Sequence, residues 1–165
     1  MNVKARVASE HQLVRLLQVG VVLEEVVEAR AEQHYRNLSD TEHQPVSEEV
    51  TNLLTETTKE SADHRRRLEE LIDELDAETI AFEQIQTLVA EQYGATKPDD
   101  FDGLLYDQLH SEESAYKFYD DLIESIEQSD VAFSLPRKRL LETLKTIREE
   151  EAEGAERVTN LMDQQ

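Results

Sequence analysis

The sequence predicts an all-α protein with one domain, built as an antiparallel four-helix bundle. Four long stretches of the 165 residues carry apolar side chains at alternating spacings of three and four, which is the pattern of helices that pack in a bundle. Only four glycines and three prolines interrupt the chain, and the prolines lie between these stretches or at the start of one. No stretch alternates apolar and polar residues between turn signals, as a half-buried strand would.

The borders of the helices follow from capping residues and helix breakers. Ser47 precedes two glutamates, which is typical of an N-cap with acidic side chains in the first turn. Ser134 with Pro136 marks the start of the last helix. A long connection after the second helix predicts a crossover that carries a short helix. The expected helices cover about 9–38, 47–75, 77–92 (the short one), 101–128 and 135–162.

The charge balance is strongly acidic, since 38 Asp and Glu residues face 17 Lys and Arg residues and the net charge is −21. Eleven of the basic residues are arginines and only six are lysines. This composition is typical of a protein from a salt-accumulating halophile, and predicts folding in concentrated salt. The alternative is a mesophilic protein that binds a basic partner. Nucleic acid is excluded as the expected partner, because phosphate binding requires a basic surface.

Cysteine is absent from the sequence, which excludes disulfides, cysteine nucleophiles and a rubredoxin-type iron centre. No haem site is expected either. No apolar run approaches the roughly 20 residues that span a bilayer, and residues 1–20 lack the apolar centre of a secretory signal. We therefore expect a cytoplasmic protein that does not interact with membranes.

The predicted buried stripe of each helix is apolar at both ends and polar near its middle. Ionisable side chains occupy the middle of all four stripes, namely Glu28 on the first helix, His64 on the second, Glu112 on the third and Glu151 on the fourth. Burying a carboxylate without a partner opposes folding by several kcal/mol. A metal ion, an arginine, a shared proton or water must therefore compensate these groups.

The two halves of the chain resemble each other, which predicts two copies of a helical hairpin. The first helix carries Glu, Ala, Tyr and Leu at spacings that recur on the third helix 84 residues later, as Glu28, Ala31, Tyr35 and Leu38 against Glu112, Ala115, Tyr119 and Leu122. Residues 60–71 of the second helix align in the same way with residues 150–161 of the fourth, at an offset of 90.

With this pattern the sequence resembles the ferritin-like superfamily over nearly its whole length, and the rubrerythrin-like proteins within it. In that family the first and third helices each supply one glutamate, and the second and fourth each supply Glu-x-x-His. These six side chains bind two iron ions. The spacing i, i+3 places the glutamate and the histidine of each motif on one face of the helix.

The resemblance implies that Glu28, His64, Glu112 and Glu151 are metal ligands, for iron or another divalent ion. Ser61 stands where the family has the second helix's glutamate, and Gly154 stands where it has the fourth helix's histidine. Both Glu-x-x-His motifs are therefore incomplete. Two neighbours are less favoured substitutes for the missing ligands: Glu24, one turn before Glu28 on the same predicted stripe, and Glu60, one turn before His64. Tyr35 and Tyr119 are expected to hydrogen-bond the ligating carboxylates.

Two functions remain open at this point. The first is a ferritin-like metal-binding protein, whose resemblance implies iron-dependent redox chemistry on peroxide or oxygen and, if it is an enzyme, an oxidoreductase. Its redox partner is unknown. The second is a metal-free structural or interaction module, in which arginines (Arg30, Arg65 or Arg67), water or protonated carboxylates compensate the buried charges. We expect a homodimer in either case. His34 lies off the stripe and is expected to be solvated.

Overall fold

The computed structural model describes residues 6–40, 48–81, 83–86 and 101–163. The described residues contain no β-strand, so that the prediction of an all-α chain is confirmed for them. The long helices begin and end within two residues of the predicted borders; they are α1 (Glu10–Asp40), α2 (Glu48–Glu74), α3 (Phe101–Glu127) and α4 (Arg137–Asp163). None of the described helices is long and apolar enough to cross a membrane.

The four helices pack side by side as a bundle, in which α1 and α4 each contact both α2 and α3. Neighbouring helices are antiparallel. His34 near the end of α1 contacts Asp107 near the start of α3, while Val7 before α1 bonds to Ser125 near the end of α3. The diagonal helices α2 and α3 are therefore parallel, and the chain must return to the other end of the bundle between them.

The connection after α2 starts differently from the prediction. The short helix expected over 77–92 is wrong for residues 77–81, which are not helical; residues 83–86 are helical, and residues 87–92 lie outside the described part. Side chains take the backbone donors that a helix would use. Glu10 accepts from the amide of Asp76 at 3.0 Å, and the buried side chain of Gln18 bonds both the amide and the carbonyl of Ile80. The backbone of residues 77–81 is therefore not helical.

The described residues form three apolar clusters, of which a small one joins Val22 of α1 to Ile85 of the connection, and a polar layer separates the other two. The larger cluster fills the end where α1 and α4 begin, and includes Leu17, Leu71 and Leu144. The smaller cluster fills the opposite end, and includes Leu54 and Leu105. The layer between them is formed by buried side chains from all four helices, namely Glu24, Thr57, Ser61, His64, Gln108, Glu112 and Glu151.

The buried stripes predicted for α2 and α4, and the described part of that predicted for α3, are confirmed, but the stripe of α1 shifts at its middle. After Glu24 the next buried positions are Val27, Ala31 and His34; Ala31 is buried as predicted, whereas Val27 and His34 replace the predicted Glu28 and Tyr35. The partner helices explain the shift. His34 turns towards α3, where Asp107 is buried, and Glu28 stays at the edge of α2.

Candidate metal centre

Three ionisable side chains meet in the polar layer, one each from α1, α2 and α4. Glu24, His64 and Glu151 are at most 3% exposed. His64 Nδ1 lies 3.0 Å from Glu151 Oε1 and 3.3 Å from Glu24 Oε1. One potential ligand atom from each of the three lies within 4.8 Å of the other two. Because metal–ligand distances for such groups are about 2.0–2.2 Å, small side-chain movements would bring all three to one ion.

The third helix surrounds this triad from the opposite side. The hydroxyl of Tyr119 donates a hydrogen bond of 2.6 Å to Glu24 Oε1, which fixes the orientation of that carboxylate. Glu112 is buried and hydrogen-bonded to Glu151. The position of Glu112 depends on Gly154, because a Cβ atom at residue 154 would lie only 2.6 Å from Glu112 Oε2. The missing side chain of Gly154 thus leaves room for a fourth carboxylate.

The other ring nitrogen of His64 faces two further carboxylates between α2 and α4. Glu150 Oε2 lies 3.0 Å from His64 Nε2, and Glu60 Oε1 lies 3.9 Å from the same nitrogen. Both carboxylates are partly exposed, in contrast to the triad. The imidazole therefore has a pair of carboxylates at each nitrogen, one pair buried and one pair at the surface.

Charge in the triad is concentrated on Glu24 and His64. Burial opposes a charge on His64, but the hydrogen bond and charge of Glu24 outweigh it and raise the pKa of His64 to about 9. Burial also opposes ionisation of Glu24, yet the bond to His64 lowers its pKa below the usual value. Burial and the charge of Glu24 raise the pKa of Glu151 well above the usual value. Glu151 therefore holds a proton between Glu24 and Glu112.

Glu112 and Glu60 are also harder to ionise than usual. Burial raises the pKa of Glu112. Burial and the charge of Glu112 raise the pKa of Glu60 to about 7, although His64 and Arg157 act in the opposite direction. Several carboxylates thus share one positive imidazole in a small volume. A cation placed among them would displace their protons and stabilise their ionised forms.

The surroundings of one carboxylate oxygen, Glu24 Oε2, indicate whether the triad would fit a metal ion. Glu24 Oε2 is buried, and no nitrogen or hydroxyl group of the described residues donates a hydrogen bond to it. A buried carboxylate oxygen without a donor is unfavourable. Two species can compensate it here: the proton of Glu151, or a metal ion bound by the triad. The arrangement of donor atoms therefore fits a metal ion.

The predicted ligands are only partly brought together. His64, Glu112 and Glu151 lie in the polar layer as the sequence indicated. Glu28 does not, because it lies at the edge of the bundle, where Arg65 Nη1 is 2.7 Å from its Oε2. Tyr35 does not lie near the triad either, since its side chain is 43% exposed, in a surface groove between α1 and α2.

Two residues contribute more than the sequence indicated. Glu24, a less favoured ligand, is the fully buried carboxylate of α1. The place of Glu24 on the predicted stripe of α1 indicated that it is buried. The sequence did not indicate that this stripe shifts by one residue after Glu24. Glu150 contacts His64 directly, although it lies about 100° around the helix from Glu151. The length of its side chain allows it to reach across that angle.

A second buried polar contact lies outside the candidate metal centre, between α1 and α3. His34 Nε2 is 2.8 Å from Asp107 Oδ2, and both side chains are buried. The expectation that His34 is solvated is therefore wrong, because the imidazole compensates a buried aspartate. Arg30 lies 3.8 Å from the other oxygen of Asp107. This contact explains why His34, and not Tyr35, is the buried residue of α1 at this height.

The donor set of the triad determines which ions it suits. One imidazole with two or three carboxylates is rich in oxygen, and oxygen donors favour hard divalent ions over soft ones. The chain has no cysteine, so a rubredoxin-type centre is excluded. Glu24, His64 and Glu151 have the geometry to hold one ion.

Comparisons of the chain with protein-family models, with curated protein sequences and with solved structures found no match.

Proposed function

We propose that this protein binds one divalent metal ion at Glu24, His64 and Glu151, and that iron is the ion it favours. The observation that carries the proposal is the buried oxygen Glu24 Oε2, to which no nitrogen or hydroxyl group of the described residues donates a hydrogen bond, so that the proton of Glu151 or a cation must compensate it. Carboxylate and imidazole donors suit iron and manganese in their divalent states.

The topology supports a ferritin-like arrangement of the bundle. Two antiparallel hairpins, α1–α2 and α3–α4, are joined by a connection that must pass from one end of the bundle to the other. A polar layer at mid-height receives side chains from all four helices. Both features belong to the ferritin-like pattern that the sequence resembles.

Each residue has a separate role in this proposal. His64 would bind the ion through Nδ1 and donate its Nε2–H to Glu150, and such an outer carboxylate orients a ligating imidazole. Tyr119 would hold Glu24 in place, and Glu112 would serve as an additional carboxylate. Ser61 and Gly154 lack ligand atoms of this kind, which favours one ion over two. Bound iron would supply one-electron redox chemistry towards peroxide or oxygen.

The alternative is a metal-free module that keeps the same bundle. It is supported by the compensation already present in the triad, where His64 and Glu24 form a charge pair and Glu151 carries a proton. Under this alternative the polar layer would fix the pairing of the helices, which is a known use of buried polar groups. The two functions differ in one measurable property, namely metal affinity.

Metal content and metal affinity test the proposal. The protein is purified in concentrated salt after expression with added iron, metal is determined by mass spectrometry, and the metal-free form is titrated anaerobically with Fe²⁺. We expect about one ion per chain and a loss of affinity of at least about 100-fold in Glu24→Gln and His64→Gln, since even outer-shell changes cost 10- to 100-fold.

Glu28→Gln is the matched control, because it removes the same charge from the same helix at a residue paired with Arg65. We expect it to bind iron as the unmodified protein does. No bound metal in the unmodified protein, or equal affinity in Glu24→Gln and Glu28→Gln, would leave the metal-free module as the function.

A further inference from the structure

The surface side of His64 carries an ion-pair arrangement that repeats between the two halves of the chain. Arg67 of α2 lies 3.6 Å from Glu150 of α4, and Arg157 of α4 lies 3.0 Å from Glu60 of α2. These four residues form two of the four identical pairs of the internal repeat between residues 60–71 and 150–161, Glu60 with Glu150 and Arg67 with Arg157. Each arginine thus reaches across to the other helix.

The two glutamates connect the interior with the surface. The Oε2 atom of Glu60 contacts Arg157, whereas its Oε1 atom is buried, lies 3.9 Å from His64 Nε2 and has no hydrogen-bond partner among the described residues. Glu150 Oε2 contacts both His64 and Arg67. Among the carboxylates that contact His64, only these two are appreciably exposed to solvent.

Each arginine has a second acidic partner on the outer surface of α2. Arg67 lies 2.9 Å from Asp63, and Arg157 lies 3.7 Å from Glu56. An arginine can therefore release the inner glutamate and keep an ion pair with the outer one. This exchange costs little, because exposed ion pairs contribute little and are screened by salt.

We propose that Glu60 and Glu150 form the route by which a divalent cation reaches the triad from solvent, and that Arg67 and Arg157 close this route. The inference rests on the proposed metal-binding function and adds how access to the site is controlled. The cation passes from the surface carboxylates to the Nδ1 side of His64, where Glu24 and Glu151 complete its ligands. With both arginines in place, their charges repel an approaching cation.

Binding kinetics with Co²⁺, whose visible absorption reports its ligands, test this route in the full chain by stopped-flow mixing. In the Arg67→Gln/Arg157→Gln double variant we expect the association and dissociation rates to rise together, by between about 2- and 30-fold, the factor that corresponds to two exposed ion pairs. Glu150→Gln should slow association, since it removes a carboxylate of the route.

Arg65→Gln is the matched control, because it removes one positive charge next to His64 in sequence but on the α1–α2 face, where Arg65 pairs with Glu28. We expect both rates to be unchanged in this variant. The route would be overturned if the association rate of the double variant rose while its dissociation rate fell, because that result shows a general effect of charge. An equal change of both rates in Arg65→Gln would overturn it for the same reason. Unchanged rates in the double variant would overturn it as well.

The two proposals fail in different ways. Absence of Co²⁺ binding by the unmodified protein would overturn the metal-binding function, and the route with it. Binding with normal affinity and rates that do not respond to Arg67 and Arg157 would overturn the route alone. Circular dichroism of each variant verifies that the bundle has formed before its rates are compared.

Discussion

The contact between Gly154 and Glu112 gives the sharpest prediction about the polar layer. In a helix interior, Gly→Ala stabilises a protein by about 1 kcal/mol where the new methyl group has room. At residue 154 the new Cβ would lie 2.6 Å from Glu112 Oε2 and 2.8 Å from its Cδ, so that the buried carboxylate must move. Overpacking of this kind costs about 1–3 kcal/mol. We therefore expect Gly154→Ala to destabilise the metal-free protein by about 0–2 kcal/mol.

A double-mutant cycle isolates this contact. In a Glu112→Ala background the obstructing carboxylate is absent, and Gly154→Ala should then stabilise the protein by about 1 kcal/mol. The coupling between the two substitutions should be about 1–3 kcal/mol, measured by urea denaturation with a chelator present and followed by circular dichroism. Gly20→Ala is the control. The Cβ atom at residue 20 would meet Leu68 and Phe118 and not Glu112, so that this substitution should have the same effect in both backgrounds. Equal effects of Gly154→Ala in both backgrounds would refute the reasoning.

Three further predictions concern the metal-free protein. Tyr119→Phe removes the hydroxyl that donates to the buried Glu24, and should lower the free energy of unfolding by about 1.5–3 kcal/mol in urea denaturation; no loss would mean that this bond contributes nothing. The folded-state pKa values of His64, about 9, and Glu60, about 7, both exceed the usual 6.5 and 4.5, so that each group binds its proton more tightly when folded. Stability should therefore fall as pH rises, from about 4.5 to 7 through Glu60 and from about 6.5 to 9 through His64, by up to about 1.4 kcal/mol per pH unit and group. Denaturation curves across this range measure the slope, and a slope between pH 6.5 and 9 that is as steep in His64→Gln as in the unmodified protein would contradict the assignment to His64. Gln18→Ala should cost about 1–3 kcal/mol and abolish hydrogen-exchange protection of the amide that Gln18 bonds in the connection; retained protection would argue against that bond.

The helices and most of the buried stripes were predictable because they depend on local sequence. Alternating spacings of three and four define a face of each helix, and this face is buried in α2 and α4 and along the described part of α3. On α1 the same spacing predicts Glu28 and Tyr35, but His34 is buried because Asp107 on α3 needs a partner. Such a shift depends on which helices become neighbours, which spacing alone does not determine.

The sequence predicted where along the bundle the candidate site lies, but it did not predict which residues form the site. His64, Glu112 and Glu151 lie in the polar layer because each stripe is polar at its middle. Glu24 and Glu28 both fitted the stripe of α1, and only the three-dimensional packing distinguishes them. Glu150 reaches His64 through the length of its side chain, which a helical wheel does not represent.

The polar layer also has a consequence for how the bundle opens. It separates a larger apolar cluster from a smaller one, so that few apolar contacts connect the two ends. Local opening follows such boundaries, and the two ends should behave as separate cooperative units in native-state hydrogen exchange, with the smaller one opening first. An ion bound at mid-height would hold α1, α2 and α4 together at this boundary. Metal binding would then merge the two units into one, so that both ends exchange only by global unfolding.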